Sequence, residues 1–330
     1  MSATLGELGE GEVLARVFPR LPDASVTEVG PGDDAAVLRA PDGRFVVTTD
    51  TMVHGPDFRL AWSTPHDLGW KAAATNLADV AAMGAVPTAL VVALAAPAST
   101  PVSLLEGLAD GLRDACAALA PGCGVVGGDL ATSSTLTIAV TAFGDLEGRP
   151  PVLRSGARPG DVVAVSGALP LAAQGLDLLF ARAVAADGAP DAALAAAVRS
   201  EFPAEVGAQL APTPPLADGP RAARAGATSM LDVSDGLPID ARRIARASGV
   251  LLDLDSALLG PLTGGAGLRS AEAHALLATF PAGAALPGGF TAIGLVRPAG
   301  EGGPGVAVDG TPYDERGGWD PFEDWNGGAG

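Results

Sequence analysis

The segment from Pro31 to Thr51 constrains the fold more than any other stretch of the chain. It reads Pro-Gly-Asp-Asp-Ala-Ala-Val, then a turn at Pro41-Asp42-Gly43, then Phe-Val-Val-Thr-Thr-Asp-Thr. Proline presets φ and glycine accepts φ > 0, so two short apolar runs around this tripeptide predict a β-hairpin. With Arg39 opposite Arg44, the register carries Asp33 and Asp34 back beside Thr49 and Asp50. Three carboxylates then meet at one end of the ribbon. Two such charges about 5 Å apart repel by roughly 3 kcal/mol at an effective dielectric of ~20. A fold that gathers them needs a cation or a proton in return.

Composition narrows the classes open to such a chain. Its 330 residues leave room for two domains with cores of their own, and 48% of them are apolar, which excludes disorder as a default. The formal charge is −18 and Lys71 is the sole lysine. A surface of that sign is a poor partner for nucleic acid or an anionic membrane. Cys116 and Cys123 are too few for a disulfide scaffold or a zinc site. The N-terminus lacks a basic region followed by an apolar core, and the longest apolar run, Ala89 to Ala96, stops at Pro97. The expectation is a soluble, cytoplasmic protein.

Along the chain, residues 5–18 predict a short helix ended by Pro19. Ser63-Thr64-Pro65 opens a second helix, with a hydroxyl cap and proline at the first helical position. It runs through Met83 to a stop at Gly84, and its alanines let a sheet or another helix approach closely. Asn76 and Asp79 are three apart and share one face. Ala89–Ala96 and Thr135–Phe143 read as strands, and Val102–Leu119 as an amphipathic helix. This βαβ-like rhythm ends near Gly148-Arg-Pro-Pro151, the expected boundary between domains 1–150 and 151–330. The second half predicts a strand at Val162–Val165, alanine-rich helix to about Val198, and a proline-rich connection. A strand at Ser229–Val233 and a helix from Pro238 to about Ser248 follow. Residues 260–267 read as loop.

The chemistry rests on aspartates at strand ends or on a neighbouring helix: Asp33, Asp34, Asp50, Asp79 and Asp129, then Asp232 and Asp235. Singly, each has a structural explanation as a turn or a solvated position. Together with Thr48, Thr49 and Ser234 they form a set of hard oxygen donors without His or Cys, which favours Mg²⁺ over zinc. No Gly-x-x-x-x-Gly-Lys-Ser/Thr loop is present, so a P-loop is excluded. With one lysine, a triphosphate would be neutralised chiefly by metal ions and a few arginines, Arg154 among them. His54 and His66 read as surface residues.

Six motifs occur in order: 31–37 and 48–51, the helix 71–87, Gly-Gly-Asp (127–129), Arg-Ser-Gly-Ala-Arg-Pro-Gly-Asp (154–161) and Leu-Asp-Val-Ser-Asp-Gly-Leu (231–237). Together with Arg-Gly-Gly-Trp-Asp-Pro-Phe (316–322), they closely resemble the thiamine-monophosphate kinase family, within the aminoimidazole-ribonucleotide-synthetase-like ATP-binding superfamily. The resemblance implies a two-domain α/β (α+β) fold with an N-terminal mixed sheet that dimerises. It implies phosphoryl transfer from ATP to thiamine monophosphate. Asp34, Thr48, Thr49, Asp50, Asp79, Asp129, Asp232 and Asp235 would ligate several Mg²⁺ ions, Asp50 and Asp235 at the catalytic centre. Gly128, Asp129, Arg154 and Ser234 would contact ATP, and Trp319 would stack on thiamine.

Two departures from the family pattern fall on the substrate side. Relatives carry Gly-Gly-Glu-Asp where this chain reads Ser270-Ala-Glu-Ala-His274, which leaves Glu272 as the substrate-contacting carboxylate. Asp57 stands where many relatives place a substrate-contacting histidine. An alternative expectation is therefore a paralogue that binds ATP and Mg²⁺ without turning over thiamine monophosphate.

Overall fold

The computed structural model describes residues 3–8, 10–29, 37–263, 268 and 271–315. The strands are β1 (Thr27–Val29), β2 (Val37–Leu38), β3 (Val46–Val53), β4 (Val86–Ala96), β5 (Gly124–Thr132), β6 (Thr137–Asp145) and β7 (Val162–Ser166). They continue as β8 (Ser229–Val233), β9 (Val250–Leu254), β10 (Ala275–Phe280), β11 (Phe290–Pro298), β12 (Gly305–Val308) and β13 (Thr311–Pro312). The helices are α1 (Leu5–Leu8), α2 (Glu10–Val17), α3 (Pro65–Ala82), α4 (Val102–Leu119) and α5 (Leu171–Arg182). After them come α6 (Ala192–Glu201), α7 (Pro203–Leu210), α8 (Asp218–Arg224), α9 (Leu237–Ser248) and α10 (Ser256–Thr263).

Among the described residues the strands form two main sheets, in the order β3-β6-β4-β5 and β13-β12-β9-β11-β7-β10-β8. The first is mixed, with β4 parallel to β5 and antiparallel to β6. The chain is thus α/β, as its sequence pattern predicts.

The predicted hairpin does not form. The turn is present, with Gly43 at φ +71° and its N–H donating to the Ala40 carbonyl at 3.0 Å. Its two arms go to different sheets. β2 pairs with β1, while β3 pairs antiparallel with β6 over eight residues, Val46↔Gly144 to Val53↔Thr137. β6 satisfies every residue of β3, whereas β2 offers two residues of extended backbone, so the longer ladder wins. Asp33 and Asp34 lie outside the described residues. A second correction concerns 260–263. The Asp255 carboxylate accepts the Ala257 and Leu258 N–H groups, and α10 extends through what read as loop. α7 and α8, on either side of the proline-rich connection, were not anticipated.

α3 is the axis of the molecule. Thr64 accepts from the Asp67 N–H while Asp67 accepts from the Thr64 N–H, a capping box with Pro65 behind it. The helix is buried on nearly every side. One side packs on the first sheet through Leu68, Ala72, Leu77 and Val80. Another meets α4 at the distance glycine allows: a Cβ on Gly69 would stand 1.9 Å from the Leu108 carbonyl oxygen. The C-terminal end touches β8 and α8 of the second half, and Gly84 ends it at φ +76°. Asp79 therefore emerges between the two sheets.

Candidate active site

β3 and α3 place their polar residues by simple periodicity. Along a strand, alternate side chains share a face, so Thr48 and Asp50 point to one side of β3, and Thr49 and Thr51 to the other. The Thr48 hydroxyl donates to Asp79 Oδ2 at 3.1 Å, which identifies the Thr48 side as the one facing α3. Thr49 bonds instead to the Val140 carbonyl at 2.9 Å on the outer face. Its side chain is not part of the cluster.

Thr48, Asp79, Arg154 and Asp232 line one groove between the sheets. Burial and then the neighbouring Asp232 carboxylate push Asp79 up to about 7, with the Thr48 hydroxyl opposing and Asp50 adding to the rise. Asp232 stands at the end of β8, and His274 Nδ1 lies 3.3 Å from its Oδ2 with both side chains buried. Arg154 is exposed and has no carboxylate partner among the described residues, so its guanidinium is free for an anion. Beyond β8, Arg243 bridges Asp235 and Asp240 at 2.5 Å each, and Asp240 accepts the Asp235 and Gly236 N–H groups at 3.1 Å. Burial pushes Asp240 up to about 7 despite that guanidinium. Arg243 and Asp240 thereby fix the Ser234-Asp235-Gly236 loop.

A second cavity lies beside the groove, lined by Asp57, Trp62, Lys71, Phe180, Gln209 and Glu272. Lys71 Nζ is 2.7 Å from Glu272 Oε2, and Gln209 Nε2 donates to the same oxygen. Burial alone would raise Glu272, but Lys71, by charge and hydrogen bond, together with His274 and the Gln209 amide, outweighs it and holds the carboxyl below its usual range. Asp57 is raised by burial, opposed by the Val53 N–H that it accepts at 2.7 Å. Glu272 sits at φ +57° and His274 at φ +46°, and their N–H groups donate to the Ser234 and Val233 carbonyls at 2.7 and 2.8 Å. This clasp brings the 271–274 segment against the β8 loop. α3 joins the two, carrying Lys71 into the cavity and Asp79 into the groove.

The chain is similar to known proteins over most of its length. The family model for AIR synthase related protein, N-terminal domain, matches residues 32–146. A thiamine-monophosphate kinase of Mycobacterium tuberculosis is 42% identical over 335 aligned residues, covering 97% of this chain and 94% of that protein. This chain belongs to the thiamine-monophosphate kinase family. Among solved structures, the thiamine-monophosphate kinase of Stenotrophomonas maltophilia K279a is 30% identical, with a TM-score of 0.72 over 92% of this chain and 96% of that one. AaThiL complexed with AMPPCP and TMP is 29% identical, with a TM-score of 0.70 over 96% and 98% of the two chains.

Against the family's expected ligands, the fold brings together Thr48, Asp50, Asp79, Arg154 and Asp232, with Ser234 and Asp235 on the adjoining loop. It does not bring Gly128 and Asp129 to them. These lie within β5, not at its end, with β4 and β6 between them and β3. At ~4.8 Å per strand, that spacing is about 14 Å. Val92 pairs with Gly128 and Ala93 with Asp129, so Asp129 falls on the outer face with Ala93. Asp34 and Trp319 lie outside the described residues. Lys71, Gln209, Asp240, Arg243 and His274 were missed as site residues. Only Lys71 carried a signal, as the lone lysine two turns before Asp79 on one helix; the rest depend on partners distant in sequence.

Proposed function

We propose that this chain transfers the γ-phosphoryl group of ATP to thiamine monophosphate, giving thiamine diphosphate and ADP. The observation that carries the reading is that one helix, α3, serves two unlike sites, with Asp79 in one and Lys71 in the other. One is an acidic groove holding a free arginine; the other is a cavity with an aromatic wall and a polar end. The groove suits a metal-bound polyphosphate and the cavity a flat heterocycle.

Among the described residues no three His, Cys, Asp or Glu side chains form a metal-binding group. The donor set nonetheless fits Mg²⁺, which keeps waters and is held by one or two carboxylates plus substrate phosphates, not by an all-protein cage. Thr48, Asp50, Asp79, Asp232 and Asp235 would hold such ions. When bound, Mg²⁺ supplies charge neutralisation along the phosphates. Arg154 adds a cation at the groove's rim, and Asp240 with Arg243 orients the loop carrying Ser234 and Asp235. The acceptor is a phosphate oxygen, already a nucleophile at neutral pH, so the chain need supply no strong base. In-line transfer without a covalent intermediate follows.

Further features of the reading are a domain boundary near 148–151 and a homodimer. The outer face of β3-β6-β4-β5 carries Val47, Thr49, Thr141, Phe143 and Ala93, with Val47 55% exposed and no helix over it among the described residues. A second copy of the chain packed on this face would cover it. Cys116 and Cys123 are free and buried, and no described helix is long and apolar enough to cross a membrane; both accord with a reducing, cytoplasmic setting. The test is direct: purified protein, ATP, Mg²⁺ and thiamine monophosphate, with thiamine diphosphate separated by chromatography. Absence of product while AMPPCP still binds would replace the kinase reading with that of a nucleotide-binding paralogue.

A further inference from the structure

Gln209 is the one residue of the second cavity whose hydrogen bonding is half complete. It projects from α7, is 4% exposed, and lines the cavity. Its Nε2 donates to Glu272 Oε2, the oxygen that also takes Lys71 Nζ at 2.7 Å. The reverse orientation would set the amide oxygen against a carboxylate, so the network itself assigns the amide. Oε1 is then buried with no partner. A buried amide oxygen without a donor is uncommon in folded proteins and calls for a partner.

The rest of the cavity describes that donor's carrier. Trp62 and Phe180 stand nearly perpendicular, at 89°, with ring centroids 5.0 Å apart, and the Arg59 guanidinium lies 4.8 Å from each ring. Leu176 and Leu179 continue this wall. An apolar and aromatic wall with a few convergent polar groups suits a flat heterocycle. The cavity's two carboxylates, Asp57 and Glu272, are balanced by two cations, Lys71 and Arg59, so its polar end reads a ligand by hydrogen bonding more than by net charge.

We propose that Gln209 is a specificity-determining residue, its Oε1 accepting a hydrogen bond from the amino group of the substrate's pyrimidine. The inference rests on the thiamine monophosphate reading above and names which part of that substrate the cavity reads. Lys71 and Glu272 act through Gln209: by holding Nε2 they fix which end of the amide is left to accept.

The experiment compares thiamine monophosphate with its 4-oxo analogue, in which a carbonyl replaces the amino group, on wild type and on Gln209→Met. A site that pairs with a substrate N–H rejects the analogue lacking it, so wild type should favour the amino form by ~10-fold or more. Gln209→Met should raise KM for thiamine monophosphate ~10-fold, equal to about 1.4 kcal/mol, and shrink the preference to within ~3-fold. KM for ATP should not move. Calorimetric titration of both ligands reads the same preference without turnover, so loss of the kinase reading and loss of this one are separately visible. The wild-type comparison needs no variant, and Gln209→Asn, which withdraws the amide by one methylene, replaces Gln209→Met if that chain does not fold. Equal use or binding of the two ligands by wild type, or an unchanged preference in the folded variant, overturns the assignment.

Discussion

Replacing Asp79 by asparagine should make the metal-free protein more stable and the enzyme inactive. Asp79 is raised from 3.8 to about 7 by burial and by Asp232. A carboxyl whose pKa is higher in the folded than in the unfolded state favours folding only while protonated. Its contribution is present in full below about pH 4 and is lost as pH climbs through about 7. A rise of about three units at ~1.36 kcal/mol each sets an upper bound near 4 kcal/mol at pH 8; sharing of charge with Asp232 lowers this to roughly 2–4 kcal/mol. Asparagine keeps the shape and an acceptor for Thr48 without the charge. With an unfolding entropy near 2.1 cal/mol/K per residue, a chain of this length should gain roughly 3–6 °C in thermal midpoint. The assay is thermal unfolding in EDTA at pH 5.5 and 8. Wild type should melt lower at pH 8, and Asp79→Asn should show a shallower pH dependence, the remainder coming from Asp57 and Asp240, which are also raised. Mg²⁺ with AMPPCP should restore wild type but not the variant, and turnover should fall by at least ~100-fold. A metal-free variant no more stable than wild type at pH 8, with the same pH dependence, would refute the claim that this charge is held against its preference.

Two further outcomes test the packing and the assembly. Gly69→Ala places a Cβ 1.9 Å from the Leu108 carbonyl oxygen, so α3 and α4 must separate; urea unfolding should show a loss of about 2 kcal/mol or more, and an unchanged midpoint would contradict the close approach. Thr141→Arg sets a charge in the middle of the outer sheet face; light scattering should give the mass of a dimer for wild type and of a monomer for the variant, and an unaltered mass would exclude that face as the interface.

Much of the local architecture was legible because its causes are local. Thr64, Pro65 and Asp67 contain the whole start of α3, and α4 runs over the predicted span, Val102–Leu119. The strand–loop–helix around Ser234-Asp235-Gly236 was readable for the same reason. The hairpin was not, although its turn is real. Val46–Val53 had to choose between a two-residue neighbour and an eight-residue partner some ninety positions away, and the turn carries no record of that competition.

The acidic residues announced polyphosphate chemistry from sequence, since their chemical type is independent of the fold. Which of them share a groove was a tertiary decision. Strand periodicity turned Thr49 away from Thr48, and sheet order put Asp129 three strands from β3 at the groove. The Lys71–Glu272 pair joins residues 201 positions apart, with Gln209 closing on the same oxygen. Residue chemistry and turn preference are written in neighbouring side chains; the meeting of distant groups is settled by which packing buries the most backbone and apolar surface at once.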